Sequence, residues 1–226
     1  MKKKNTKPIL AALGALAAFV LWSFLVRCVD VQPIGPNGSR VGFAAINGAF
    51  HALTGVHWAL YTLTDGLGLV PIGIALGFAV LGLVQLIRRK SLLKVDRDLL
   101  ILGGFYVVVL ATYLLFETVV INFRPVLIDG KLEASYPSST TMLALCVLPT
   151  AMMQLKGRIR HRAVRRAVLV ALGALTAFMV VGRLFSGVHW LTDIIGGVLL
   201  SVGLVMLYAF ATKRQGKSRK NSLACV

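Results

Sequence analysis

The stretch Gly66–Ile87, GLGLVPIGIALGFAVLGLVQLI, runs for twenty-two residues without a charge and ends against Arg88, Arg89 and Lys90. About 20 apolar helical residues cross the hydrocarbon of a bilayer, so this stretch reads as a membrane span, even with Pro71 near its start. Working outward, five more apolar runs of similar length appear: Ile9–Val26, Leu99–Ile121, Pro137–Leu155, Ala167–Leu184 and Trp190–Ala211. They predict an all-α fold, a six-transmembrane helical bundle. Residues 1–226 form one membrane domain, because spans and short loops use up the length. The chain is 57% hydrophobic with a mean hydropathy of +0.80, far above a soluble domain of ordinary composition.

The first run follows a basic start, as a signal peptide would. It is long, however, and has no small-x-small site before Arg27, so it reads as a retained span. Between the first two spans, Val41–Thr54 is only half apolar and reads as a helix lying at the membrane interface. His51 and His57 fall here, six apart and off one helical face, which suits interface packing. Pro149 is expected to kink the fourth span.

A net charge of +17 suggests nucleic acid until its placement is considered. The N-terminus, the 88–97 loop, the 156–166 loop and the tail from Lys213 hold four, five, six and five of the 25 Lys and Arg residues. Arg27, Arg40, Arg124, Lys131 and Arg183 are left for the other side. That asymmetry is the positive-inside pattern, with six spans and both termini in the cytoplasm. The implied partner is the bilayer and not nucleic acid. The tail reads as disordered, and His161, among cations, as solvated. Cys28, Cys146 and Cys225 lie far apart, with neither metal-ligand spacing nor an evident disulfide framework. No metal or cofactor is implied.

On the outer side, ionisable groups gather at span ends, where they are costly and mostly functional. Arg183–Asp193 reads RLFSGVHWLTD, and a helix starting near Trp190 stacks His189 and Asp193 on one face. The carboxylate can then hold one ring nitrogen and leave the other free to react. The bland alternative is a helix-start aspartate beside an interfacial histidine. Pro137–Thr141 supplies cap hydroxyls and free N–H groups at a helix start, which favour an anion. Arg124 and Arg183 bring guanidinium forks that match phosphate.

Arg124-Pro125, then Pro137-Ser138, then Arg183-x5-His189-x3-Asp193 resembles the three-part signature of the type 2 phosphatidic acid phosphatase superfamily. The likeness covers nearly the whole chain, and the third part is the specific one. It implies that His189 attacks phosphorus and forms a phosphohistidine, with Asp193 holding it. It also implies that Arg124, Arg183, Ser138 and the N–H of Ser139 neutralise the phosphoryl oxygens.

Two positions depart from that pattern. Glu117 stands where the first part usually opens with lysine; it either pairs with Arg124 or Arg183 and orients it, or caps charge at the span end. Thr140 stands where the second part ends in the histidine that protonates the leaving group. A threonine hydroxyl is no acid at neutral pH. An alkoxide, whose conjugate acid has a pKa of roughly 15.7, needs a proton; a phosphate leaving group, second pKa about 6, does not. General-acid help is worth roughly 10² to 10⁴ in rate. Slow turnover is therefore expected, less impaired on a diphosphate than on a monoester, whether Thr140 is natural or engineered.

The expected activity is dephosphorylation of a membrane lipid at the outer face of the plasma membrane. Isoprenyl diphosphates such as an undecaprenyl carrier, phosphatidic acid and phosphatidylglycerophosphate are the substrate classes. The rival is a non-catalytic lipid-phosphate binding or transport protein that keeps the pocket. A channel or carrier would carry polar residues at mid-span, and spans one, two and five hold almost none.

Overall fold

The computed structural model describes the backbone of residues 6–223 and the side chains of residues 6–213. The basic residues 1–5 and the end of the tail, with Cys225, lie outside the described residues. Eight helices follow in order: α1 Lys7–Cys28, α2 Ala44–Thr54, α3 Trp58–Leu67, α4 Leu69–Arg89, α5 Arg97–Thr118, α6 Ser139–Arg158, α7 Arg162–Phe185 and α8 Leu191–Leu223. The architecture is all-helical, as the apolar runs predict. Among the described residues the only extended pairings are isolated bridges in loops.

Five stretches are long and apolar enough to cross a membrane: α1, α3 with α4, α5, α7, and α8 as far as Lys213. Their outward faces stay apolar and exposed, as with Leu76 and Val80 on α4 and Val107 and Leu110 on α5. In water such a surface would aggregate; in lipid it is the solvated face. The sixth long helix, α6, is less apolar because other helices surround it instead of lipid. It packs against α4, α5, α7 and α8. Its Thr150 bonds back to the Cys146 carbonyl at 2.7 Å, and Gln154 donates to the Tyr208 hydroxyl at 2.6 Å. An enclosed helix tolerates such groups because each finds a partner. Pro149 sits inside α6, which remains one continuous helix from Ser139 to Arg158.

Three boundaries differ from the sequence reading. The second span begins at Trp58, not Gly66, because Asp65 lies within helical chain and its charge is paired. The break falls at Gly68, between α3 and α4. Pro71 has no N–H to offer the carbonyl four residues back, which loosens that turn. α7 starts at Arg162, inside the expected basic loop, since His161 caps it through the Val164 N–H at 3.4 Å. The backbone of α8 runs to Leu223 instead of giving way to a disordered tail at Lys213. Lys, Arg and Gln end the apolar pattern but remain good helix formers.

The bundle has two unlike ends. At one, Arg89 pairs with Asp96 and Arg158 with Asp98, tying together the α4–α5 and α6–α7 loops. At the other, the Trp22 indole donates to the Thr192 carbonyl at 3.1 Å, and the hydroxyls of Ser23 and Tyr136 meet at 2.7 Å. Helix α2 packs there on the start of α8, with the Asn47 amide bonded to Thr192. Phe19, Leu102, Phe105, Met142 and Tyr208 fill the core between the ends.

Tyr136 lies across α8 so closely that a Cβ on Gly196 would fall 2.6 Å from its ring. Gly196→Val should therefore cost about 1–3 kcal/mol by overpacking. Gly73→Ala on the open face of α4, where nothing lies within 4 Å, should be near neutral. Thermal unfolding of both variants in detergent checks the contrast.

Candidate active site

The site is built at the second end, where α5 and α7 finish and α6 and α8 begin. Residues 119–138 link α5 to α6 as a narrow hairpin-like loop. Asn122 accepts from the Ser135 N–H at 2.9 Å, Arg124 donates its N–H to the Glu133 carbonyl at 3.0 Å, and Ile128 pairs with Lys131 at the tip. Alternation along extended chain turns the side chains of 122, 124 and 135 to one side. That side faces the His189 loop.

Asp193 anchors the arrangement, fully buried in the first turn of α8. One carboxylate oxygen accepts from the Asn122 amide at 3.1 Å. The other accepts from the Ser135 hydroxyl at 2.6 Å and from the Trp190 N–H at 3.0 Å. His189 Nδ1 stands 4.0 Å from that oxygen and 2.9 Å from Ser135 Oγ. The direct histidine–aspartate contact expected from four-residue spacing is thus replaced by a serine bridge. Because Ser135 spends its own proton on Asp193, it must accept one from Nδ1–H.

The other ring nitrogen, Nε2, faces Arg124, whose guanidinium lies 3.3 Å away. An arginine can only donate, so Nε2 carries the lone pair. Burial, reinforced by the positive charges of Arg124 and Arg183, holds the imidazole well below its ordinary value near 6.5. At neutral pH the ring is neutral, with its unprotonated Nε2 turned toward Arg124.

The two arginines are held differently. Arg124 Nε forms an ion pair with Glu133 at 3.1 Å without the alignment of a hydrogen bond. Arg183 is almost wholly buried. It pairs with Asp65 at 3.1 Å, donates to Thr64 Oγ1 and the Tyr61 carbonyl at 3.3 Å, and stacks over the Tyr61 ring at 4.8 Å. The two ion partners are therefore Glu133 and Asp65, so Glu117 orients neither arginine. Ser138 stands at the N-cap position of α6 without a side-chain capping bond and gives its N–H to the Asp193 carbonyl at 3.1 Å. Ser139 and Thr140 follow in the first turn of α6, where N–H groups have no partner within the helix. The hydroxyls of Ser138 and Thr141 and the Nε of both arginines are buried without hydrogen-bond partners. These four donors have no partner within the protein and can accept an anion.

The loop carrying His189 is pinned from above. Gly187 has φ +72, and a Cβ there would lie 2.0 Å from the Gly55 carbonyl oxygen. His57 donates its N–H to the Ser186 carbonyl at 2.9 Å, and the His51 ring packs on Trp190 at 5.5 Å. Both histidines therefore pack around the site without entering it. Asn122, Ser135, Glu133 and Asp65 are the participants that the sequence reading missed. Ser135 and Asn122 carry a faint signal, since they flank the motif residues at even spacing in the connecting loop. Asp65 carries none.

The PAP2 superfamily pattern matches residues 99–217. No curated protein sequence matches the chain significantly. Among solved structures, the chain resembles the first transmembrane PAP2 type phosphatidylglycerolphosphate phosphatase from Bacillus subtilis, with a TM-score of 0.63 at 16% identity, over 90% of this chain and 96% of that one. At that identity the likeness is one of fold.

A His189 held neutral has a linked effect on stability. Its folded value lies below the unfolded one, so the neutral ring contributes stability above about pH 6.5 that is lost as the pH falls further. Nitrogen-15 NMR of the labelled protein should show His189 protonated on Nδ1 alone at pH 7. Ser135→Ala should blur that tautomer preference, and an unchanged spectrum would contradict the relay.

Proposed function

We propose, from the premise that the chain belongs to the PAP2 superfamily, that it dephosphorylates a membrane lipid through a phosphohistidine on His189. The observation that carries this reading is the aimed and neutral Nε2 beside Arg124, with unsatisfied donors around it. In the first step the Nε2 lone pair attacks phosphorus and the bond to the lipid oxygen breaks. The positive charge that develops on the ring is relayed through Ser135 to Asp193. Arg124, the Nε of Arg183, the Ser138 hydroxyl and the Ser139 N–H stabilise the equatorial oxygens. Water then attacks the phosphohistidine and phosphate leaves.

Substrates fitting this site are lipid phosphates or diphosphates of the isoprenyl, phosphatidic acid or phosphatidylglycerophosphate class. The basic loops at the far end of the bundle support an orientation with those loops and both termini in the cytoplasm and the site outside. This is the expected arrangement for a multi-pass protein of the plasma membrane. A non-catalytic binder is favoured by Thr140, which offers no leaving-group acid at the start of α6. The intact relay to His189 weighs against it, since binding alone needs no aimed nucleophile.

Phosphate release from phosphatidic acid and from an isoprenyl diphosphate in mixed micelles tests the reading. His189→Ala should lower turnover by at least about 10³-fold on any substrate accepted. Binding without turnover in the parent chain would favour the binder. For orientation, single cysteines in place of Asp129 and Ser91, in a chain otherwise free of cysteine, should react with an impermeant maleimide from the outside and the inside respectively.

A further inference from the structure

A phosphate monoester cannot leave cheaply without a proton, and Thr140 cannot give one. Among the described residues the carboxyl groups are nearly all committed. Asp30 is bonded to Gln32 and the Ala45 N–H, Asp65 to Arg183, Asp96 to Arg89, and Asp98 to Arg158. Glu133 pairs with Arg124, and Asp193 is saturated by Asn122, Ser135 and Trp190. Asp129 sits at the hairpin tip, away from the histidine. Glu117 alone has no ion pair and yet borders the site.

Its position is specific. Glu117 and Tyr113, one turn apart at the end of α5, line an open cleft whose other walls include Ser135 and Ser139. Ser135 is the residue bonded to His189, and Ser139 opens α6, whose first N–H groups have no partner within the helix. A phosphoryl group seated between His189 and the start of α6 therefore has this pocket on its flank. The wall of Phe116, Pro137 and Met142 suits the first carbons of a lipid chain.

Resting on the phosphatase reading, we infer that Glu117 is the general acid and base of this chain, acting from the α5 side of the pocket in place of a group at Thr140. In the first step the P–O bond to the lipid breaks, and its electron pair stays on the lipid oxygen. That oxygen takes the proton of Glu117, giving a lipid alcohol, a phosphohistidine and a Glu117 carboxylate. In the second step the carboxylate takes a proton from water, and the water oxygen bonds to phosphorus. The P–N electron pair returns to Nε2, so phosphate leaves and Glu117 is protonated again.

The test compares two leaving groups in parent, Glu117→Gln and Glu117→Asp chains: phosphatidic acid, whose alkoxide needs a proton, and 4-nitrophenyl phosphate, whose phenolate leaves readily. Glu117→Gln should slow phosphatidic acid hydrolysis by about 10²-fold or more. Its effect on the aryl ester should be smaller by at least about tenfold. Glu117→Asp, still an acid, should keep the ratio of the two rates closer to the parent's. Equal losses on both esters, or no loss on either, would overturn the assignment of Glu117. If His189-dependent hydrolysis persists in that case, only Glu117 is misassigned. If the parent chain hydrolyses neither ester, the phosphatase reading falls with it.

Discussion

A single buried carboxylate, Asp193, sets the terms for this end of the molecule. Removing such a charge from water is tolerated only when hydrogen bonds replace its hydration. Here three donors from three segments converge on it: Asn122 and Ser135 from the two arms of the α5–α6 loop, and the Trp190 N–H from the loop after α7. The backbone carbonyl of the same residue receives the N–H of Ser138. Three stretches, at Asn122, Ser135–Ser138 and Trp190–Asp193, are thereby fixed relative to one another, and the same bonds select which nitrogen of His189 carries its proton.

The bundle below serves that junction. Lipid-facing helices need only length and apolarity, and α1, α4, α5 and α7 have little else. The enclosed helix α6 is different: it carries Thr150 and Gln154 inward, each matched by a neighbour, and brings its N-terminus to the histidine. In its first turn Ser138, Thr140 and Thr141 are buried, and the hydroxyls of Ser138 and Thr141 have no partners. In water such groups would be a fault. On the proposed reading they are donors kept for a phosphoryl group.

Much of this was legible in the sequence. Long uncharged runs declare spans with little ambiguity, because lipid imposes one requirement on every turn. Arg124, Ser138, Arg183, His189 and Asp193 were legible because each occupies a span end at a fixed spacing, and the fold does bring their segments together. What was not legible depends on pairing between distant segments. Nothing near Asp65 in the sequence announces that it will neutralise Arg183, 118 residues away, so apolarity alone starts the second span only after it. The serine bridge was hidden for the same reason: four-residue spacing suggested direct contact, and only the hairpin reveals a hydroxyl between the two side chains. The tail departs in the other direction, since losing the apolar pattern does not end the helix.

The hairpin-like loop also places a rule of parity on how this chain can change. Asn122 and Ser135 face one another across it, as do Arg124 and Glu133, and the turn lies beyond them at Ile128–Lys131. Side chains in extended chain alternate, so one residue gained or lost between Asn122 and Arg124, or between Glu133 and Ser135, turns the later side chain away from the histidine. Two residues restore the facing. Growth beyond these rungs, at the tip, leaves both untouched. The loop can thus lengthen outward and reshape the approach to the site while the atoms around His189 keep their places.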